Sequence, residues 1–341
     1  MLYDNANLAS LYMQAAQLFD SSRSSAEHHV GHYESIAKST LDFMRSEMWH
    51  SDGALVAAFS AVDGQSVEGG SYLWKAEEIR TILTDEEATL IFALWGLNRH
   101  SELPAGNQPR YFQSIEQYAD QNSLSLNTLE EIFHSAKNKM IEARRIRSLP
   151  VDDKLLAGWN GLALSTFVQA SKQFPGQGYD DVAKRLRDFL VSQLWDGEQL
   201  HRAKAKGVRL GSGSLEDYAY VSHGLYEWAL LPGNEADLQI VTDMVNRGWQ
   251  RFYHDNSWHE GDDTLLAPTS GSEMIADSAN ASPSAELILV TLKLSKTLED
   301  KSLREIALSA LNRGESELTI APFWYVSQLA ALREAIRSTE Q

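Results

Sequence analysis

Apolar side chains recur along this chain at helical spacing, every three or four residues, in one segment after another. Alternating, strand-like runs are short and fall between these segments. The pattern predicts a mainly helical protein. Its predicted helices cover 4 to 20, 28 to 48, 125 to 147, 155 to 173, 179 to 195, 215 to 230, 235 to 253, 283 to 296, 299 to 312 and 322 to 338. Shorter helices are expected between 75 and 120.

A loose internal repeat appears where alternate helices end. The three segments that carry it are Met48 to Leu55, Leu194 to Leu200 and Phe252 to Trp258. Each has an aromatic residue, then a turn rich in Asp, Gly or Asn, then a short apolar piece. Such turn residues accept the backbone conformations that stop a helix, so we expect short β-hairpins in the connections. A recurring unit of this kind is typical of helical hairpins arranged round an axis.

The predicted helices also alternate in character. Those over 155 to 173, 215 to 230 and 283 to 296 are rich in small residues and have polar groups at their N-terminal ends. Those over 28 to 48, 179 to 195, 235 to 253 and 299 to 312 carry charge on one face, as outer amphipathic helices do. Alternating inner and outer helices predict an all-α toroid with its pocket near the N-termini of the inner helices.

The amino-acid composition disfavours several classes of binding partner and of chemistry. The 341 residues include 30 Lys and Arg against 47 Asp and Glu, a formal net charge of −17, which disfavours nucleic acid and anionic membranes. The absence of cysteine excludes disulfides, thiolate nucleophiles and Cys-ligated metals. No apolar run approaches the about 20 residues of a membrane span, and the first residues do not form a signal peptide. A cytoplasmic protein is therefore expected.

Several short motifs follow one another in an order that is more specific than any one of them. They are Met1-Leu2-Tyr3-Asp4-Asn5-Ala6, Ser60-Ala61-Val62-Asp63, Glu68-Gly69 with Tyr72-Leu73-Trp74 and Glu78-Ile79, Asp152-Asp153-Lys154 with Trp159-Asn160-Gly161-Leu162, Leu215-Glu216-Asp217-Tyr218-Ala219, and Pro283-Ser284. In this order the chain resembles the YyaL (DUF255) family, also called the spermatogenesis-associated thioredoxin-like family. The resemblance extends over nearly the whole chain.

The resemblance implies a six-hairpin (α/α)6 barrel of the glycosidase type, related in shape to N-acylglucosamine 2-epimerases. Family members resemble a thioredoxin-like domain fused to such a barrel, and only the barrel part matches this chain. Six hairpins require twelve helices, whereas nine predicted helices remain once 75 to 147 is set aside as an insertion. We therefore expect one toroid domain over 1 to 341, incomplete at its N-terminus. Two alternatives follow: either the reading frame is truncated, or the ring is open and must be completed or capped. An upstream thioredoxin-like domain or polypeptide is the candidate partner that would complete it.

Three aspartates are the candidate catalytic residues. Acid or base catalysis on a sugar needs two carboxyl groups about 5 to 10 Å apart. Asp153 precedes one inner helix, Asp217 lies in the first turn of another, and Asp63 lies in a motif of the resemblance. A ring of inner helices could bring such side chains to one rim. Aspartates also cap helix N-termini, and this structural alternative applies to Asp153 and Asp217.

Aromatic and amide side chains beside these acids are candidates for ligand binding. Trp159 could stack on a sugar face while Asn160 hydrogen-bonds its hydroxyl groups. Glu216 and Tyr218 open the next inner helix. His223 follows Glu216 by seven residues on the same face, and is either a base or a hydrogen-bonded core histidine. Within the motifs of the resemblance, the further candidates are Asp4, Asn5, Glu68 and Trp74.

No metal or other cofactor is expected. His28 and His32 have metal-site spacing, but on an outer helix without a third ligand a solvated face is favoured. The preferred hypothesis is a carbohydrate-related, enzyme-like barrel of glycosidase or sugar epimerase type that binds a small sugar. The rival is a non-catalytic ligand-binding or scaffold module that acts with a thioredoxin-like domain. Gln65 favours the rival, because the family usually has a second aspartate in its place.

Overall fold

A computed structural model describes residues 1–21, 27–101, 103–259, 275–312 and 315–337. The described helices are α1 (Leu2–Ser21), α2 (Glu27–Glu47), α3 (Ala76–Ile82), α4 (Asp85–Trp95), α5 (Ile115–Asn122), α6 (Leu126–Arg145), α7 (Ala157–Gln173), α8 (Tyr179–Phe189), α9 (Leu215–Ala229), α10 (Leu238–Phe252), α11 (Pro283–Leu298), α12 (Lys301–Asn312), α13 (Glu315–Ile320) and α14 (Val326–Arg337). A π-helical turn, Leu190–Leu194, extends α8, and 3₁₀ turns at Glu235–Asp237 and Pro322–Tyr325 precede α10 and α14.

The strands are short and lie in the connections. They are β1 (Trp49–His50), β2 (Ala54–Leu55), β3 (Ala58–Phe59), β4 (Val151–Asp152), β5 (Leu155–Leu156), β6 (His201–Ala205), β7 (Val208–Ser212), β8 (Tyr253–His254) and β9 (Ser257–Trp258). The chain forms two compact units: unit 1 is Met1–Ala58 with Asp153–Gln341, and unit 2 is Phe59–Asp152. The predicted insertion over 75 to 147 falls inside unit 2. The prediction of a single domain stays a prediction.

Unit 1 is built from helix pairs. α1 packs on α2, α7 on α8, α9 on α10 and α11 on α12. The first members of these pairs also pack on one another in the series α1, α7, α9 and α11, which α14 continues. The predicted all-α fold with alternating inner and outer helices is therefore confirmed. Burial agrees with it, because α9 is buried at most positions while α8 buries one stripe that includes Val182, Leu186 and Phe189.

Two glycines allow α7 and α9 to approach closely. A Cβ atom added to Gly161 on α7 would lie 2.7 Å from the backbone of Tyr220 on α9. A Cβ atom added to Gly224 on α9 would lie 2.4 Å from the carbonyl oxygen of Gly161. Any larger residue at either position would push the two helices apart.

The predicted repeat corresponds to a set of small antiparallel pairings. Trp49 pairs with Leu55, Trp195 with Leu200, and Tyr253 with Trp258. The turns between them contain left-handed residues, among which Gly53 has φ 87° and Gly197 has φ 98°. Glycine adopts such angles without steric cost, which explains why the sequence motif places it there. A further sheet in unit 1 has the order β5, β6, β7.

Unit 2 has its own apolar core. Trp74, Ile79, Ile91 and Met140 are buried in one cluster between α3, α4 and α6. At the start of α4, Thr84 forms a capping box with Glu87, whose carboxylate also accepts hydrogen bonds from Ser135 and Lys139. Burial opposes ionisation of Glu87, but these bonds outweigh it and lower its pKa to about 2. Across the described residues, no helix combines the length and apolarity of a membrane span.

Candidate functional site

The N-terminal ends of three inner helices of unit 1 meet at a cavity of about 220 Å³. The first turns of α1, α7 and α9, strand β6 and the loop before α11 contribute side chains to it. The lining residues are Tyr3, Leu156, Trp159, Arg202, Glu216, Asp217, Ala279 and Asn280. The cavity thus lies at the inner-helix rim, and it brings together three of the predicted site residues.

Asp217 is the less accessible of the two acids that open α9. Its side chain completes a capping box in which Oδ2 accepts hydrogen bonds from the backbone N–H and the hydroxyl of Ser214, both at 2.9 Å. Its Oδ1 accepts the backbone N–H of Gly158, in the first turn of α7, at 2.9 Å. Burial raises the pKa of Asp217, against the opposing effect of these bonds. Asp217 therefore joins the starts of α7 and α9.

Glu216 is partly exposed in the cavity. Burial, and after it the negative charge of Asp217, raise the pKa of Glu216 above its ordinary value. A hydrogen bond from the Trp159 side chain and the charge of Arg202 act in the opposite direction. A raised pKa moves the titration of a carboxyl group toward neutral pH, which is the direction that favours a general acid or base.

Two aromatic rings form one wall of the cavity. The indole of Trp159 and the ring of Tyr3 lie edge to face, with centroids 4.8 Å apart and an interplanar angle of 67°. The Trp159 side chain is partly exposed. A fixed, partly open indole beside a carboxyl group is a suitable surface for the apolar face of a sugar ring.

Arg202 supplies a positive charge to the same cavity. It lies on β6, adjacent to Ala203, which pairs with Leu156 of β5. Its charge acts on both Glu216 and Asp217. Within the described part of the chain, however, it forms no ion pair with a carboxylate. The guanidinium N–H groups can therefore serve as donors to a bound ligand.

Asn160 and Tyr218, two predicted ligand-binding residues, are fully buried and do not line this cavity. The Asn160 amide accepts a hydrogen bond from the N–H of Leu55 at 2.9 Å and donates to the carbonyl oxygens of Leu55 and Leu156. The hydroxyl of Tyr218 accepts the N–H of Leu200 at 2.9 Å. Both side chains hold the connections that support the cavity.

His223 takes part in a charged network between α9 and α11. Its Nδ1 lies 2.6 Å from Oε2 of Glu286, and its Nε2 lies 3.2 Å from Nζ of Lys293. Lys293 also reaches Glu227 at 3.3 Å. Burial lowers the pKa of His223, but the charge of Glu286 and the hydrogen bonds to Glu227 and Glu286 together outweigh it, so the pKa is raised overall. Because its ring nitrogens contact charged neighbours, His223 connects the two inner helices.

The other predicted site residues lie elsewhere in the two units. Asp63 and Glu68 belong to unit 2, where Oδ1 of Asp63 accepts the backbone N–H groups of Gln65 and Val67 in a turn. Trp74, also in unit 2, is buried under the guanidinium of Arg147 at 3.9 Å.

In unit 1, Asp153 is exposed, Asp4 is half exposed in the first turn of α1, and Asn5 donates to the carbonyl oxygen of Met1 at 2.7 Å. These three residues are not among those that line the described cavity. The predicted histidine pair at 28 and 32 lies partly outside the residues whose side chains are described.

Sequence reasoning missed Tyr3 and Arg202, and it preferred Asp217 to Glu216. The spacing Ser214-x-x-Asp217 is that of a capping box, and this signal could have assigned Asp217 to the helix start and left Glu216 for the cavity. No local signal marks Arg202, because a lone arginine in a short strand carries no motif.

Comparison with known proteins gives distant relatives. No family model matches the chain. It is 24% identical over 365 aligned positions to an uncharacterized protein of Caenorhabditis elegans, covering 97% of this chain and 49% of that protein. It is 27% identical over 267 positions to human spermatogenesis-associated protein 20, covering 67% of this chain and 32% of that protein. The rat protein of the same name is 26% identical over 265 positions.

Among solved structures, D-mannose isomerase aligns at a TM-score of 0.44 and 10% identity, covering 93% of this chain and 76% of that one. A glycoside hydrolase family 76 mannosidase from Bacteroides thetaiotaomicron aligns at a TM-score of 0.42 and 10% identity, covering 67% and 68%. The chain is thus similar to spermatogenesis-associated protein 20 over two thirds of its own length, and it spans half or less of the curated relatives that it matches.

Proposed function

We propose that the cavity between the first turns of α1, α7 and α9 binds a small sugar, and that Glu216 is its acid or base. The observation that carries the proposal is the joint placement of a carboxyl group of raised pKa and an indole in one cavity of about 220 Å³. The indole would contact the apolar face of the sugar ring, and Arg202 and Asn280 would donate to its oxygens.

One available carboxyl group favours proton transfer over hydrolysis. Glycoside hydrolysis needs two carboxyl groups with separate roles. In the described lining of the cavity the two acids are Glu216 and Asp217, and both oxygens of Asp217 accept hydrogen bonds from backbone or side-chain donors. A single acid or base suffices to move a proton next to a sugar carbonyl, as in an isomerase or epimerase.

Binding is tested by the thermal stability of the protein in a panel of aldoses and ketoses. We expect one or more sugars to raise the melting temperature of the native protein, and Trp159→Leu to abolish that rise. Glu198→Gln, a change at an exposed residue in the turn before β6 and outside the cavity, should leave that rise intact, and it is also the matched control for the loss of one acid in Glu216→Gln. A flat response to every sugar, or the same loss in the control, would contradict the proposal.

Catalysis is tested separately, with the sugars that bind. We expect deuterium from D₂O to enter the sugar at the carbon next to its carbonyl, and Glu216→Gln to slow this exchange at least about 100-fold. Binding without exchange would instead support the second candidate, a non-catalytic ligand-binding module that acts with a thioredoxin-like domain. The observation that favours this second candidate is Gln65, an amide at the position where the family of the resemblance usually has a second aspartate.

A further inference from the structure

A second cavity, of about 290 Å³, lies within unit 2. It is formed by one loop, from the end of α4 to the residues before α5. Its lining residues are Gly96, Arg99, His100, Ser101, Leu103, Gly106, Asn107, Gln108, Arg110 and Phe112. This loop contributes no lining residue to the described cavity of unit 1.

The loop is held by backbone hydrogen bonds at several points. Trp74 and Asn107 exchange a pair of backbone bonds at 2.9 and 2.8 Å. The N–H of Phe112 donates to the carbonyl oxygen of Leu94 at 3.0 Å, and the amide side chain of Asn107 donates to the carbonyl oxygen of Arg99 at 2.7 Å. The side chains that line this cavity therefore stand on a fixed backbone.

An arginine is oriented by an aromatic ring in this cavity. The guanidinium carbon of Arg99 lies 3.9 Å from the centroid of the Phe112 ring, within cation–π distance. The ring itself packs against Gly96, where an added Cβ atom would lie 2.2 Å from Phe112 Cε2. Gly96 has φ 64°, an angle that glycine adopts readily at the end of a helix. Stacking on Phe112 leaves the N–H edge of the guanidinium available for hydrogen bonds.

The described arginines that line this cavity carry positive charge, opposite in sign to the net charge of the chain. Arg99, Arg110 and His100 line it, and the described lining residues include no carboxylate. Glu102, in the same loop, lies outside the described residues. In the described part of unit 2 neither arginine has an ion-pair partner. Two guanidinium groups with no ion-pair partner among the described residues thus line one cavity of a protein whose formal net charge is −17.

We propose that this cavity binds the phosphate or carboxylate group of a small anionic molecule. Guanidinium groups match the geometry of both oxyanions, because two parallel N–H donors can reach two oxygens of one group. Arg99, fixed by its ring, would supply the oriented pair of donors, and Arg110 would supply a second positive charge. A volume of about 290 Å³ accommodates a metabolite-sized molecule rather than a macromolecule.

The test is calorimetric titration of the whole protein with inorganic phosphate and with citrate, at constant ionic strength. We expect saturable binding of at least one of the two ions. Arg99→Gln and Arg110→Gln should each weaken it at least about tenfold, as loss of a charged hydrogen-bond donor does. Arg145→Gln is the matched control, because Arg145 is exposed on α6 of the same unit and pairs with Glu142 at 2.6 Å.

The two ions identify the source of the oxyanion: phosphate alone assigns a phosphoryl group, and citrate alone a carboxylate. Equal weakening by all three arginine variants would mean that only the net charge matters, and it would overturn the proposal. So would the absence of saturable binding of either ion. Gly96→Ala, which displaces Phe112, should weaken binding with all charges retained, and unchanged binding there would refute the role of the ring.

Discussion

The neighbouring acids Glu216 and Asp217 differ in what they contribute to stability, and truncating each to alanine measures the difference. Asp217→Ala removes a side chain that accepts three hydrogen bonds, at 2.9 Å each, from Ser214 and Gly158. Glu216→Ala removes a partly exposed side chain whose carboxyl group interacts with Trp159. The two variants change the chain by one acid at adjacent positions of the same helix turn, so each serves as the control for the other.

The size of the destabilisation by Asp217→Ala follows from the hydrogen-bond donors that lose their acceptor. Loss of the half of the capping box that Asp217 supplies, the bonds it accepts from the N–H and hydroxyl of Ser214, costs about 1 kcal/mol. The N–H of Gly158, which is itself buried, loses its acceptor, and this costs a further 1–3 kcal/mol or so. Removing a buried negative charge, whose pKa burial raises, offsets part of the sum. We therefore expect a net loss of about 2 kcal/mol for Asp217→Ala and less than about 0.5 kcal/mol for Glu216→Ala.

Urea denaturation followed by far-UV circular dichroism gives both free energies of unfolding. The expected result for Asp217→Ala is a lower midpoint with an unchanged slope. The melting temperature should fall by about 4–8 °C, and that of the Glu216 variant should stay within about 2 °C of the native value. Equal destabilisation by the two substitutions, or a neutral Asp217→Ala, would refute the assignment of Asp217 to the helix cap.

Other positions give comparably direct tests. Burial lowers the pKa of His223, but the charge of Glu286 and the hydrogen bonds to Glu227 and Glu286 together raise it above its ordinary value. The imidazolium therefore stabilises the fold below the ordinary pKa of 6.5, and this contribution is lost as pH rises through the raised value. The fall in the free energy of unfolding between pH 6 and pH 9 should be smaller in His223→Gln, as urea denaturation measures. Asn160→Ala should lower the free energy of unfolding by about 2–4 kcal/mol, since it leaves backbone groups unpaired. Gly161→Ala should destabilise by more than about 1 kcal/mol in thermal melts, whereas Gly31→Ala, with open space around its Cβ, should stabilise α2 by up to about 1 kcal/mol.

The helices of unit 1 could be predicted from the sequence because each has a local pattern of apolar, small or charged residues that is typical of its position. The apolar stripe of α8 and the small residues of α7 predict their outer and inner positions, and the structure agrees. The start of α7 differs from the prediction because a tertiary strand pairing competes with the helix there. Leu155 and Leu156, predicted as helical, pair with β6 instead. The short helix α13 was not predicted, because six residues are too few for a periodic signal.

The residues of the candidate site were harder to predict from the sequence, because the type of a residue does not determine which of its possible hydrogen-bond partners it contacts in the fold. Asn160 has the chemistry of a ligand-binding amide, yet its three hydrogen bonds all go to backbone groups of Leu55 and Leu156. Those partners lie 105 and 4 residues away along the chain, and the distant one comes near only after the helices have packed. A local motif cannot contain such information.

Glu216 and Asp217 at the start of α9 show why capping acids and functional acids are hard to distinguish from sequence alone. Helix N-termini attract carboxylates because their N–H groups lack partners, so structural and functional acids accumulate at the same place in the sequence. Where inner helices start at a cavity, as α7 and α9 do, acids at those starts can be read either as helix caps or as site residues. Here the ambiguity is resolved by the third position of the capping box: Asp217 reaches back to Ser214 and across to Gly158, and Glu216 is left in the cavity. At the start of α9 the residue before the capping acid is therefore a better candidate for chemistry than the acid itself.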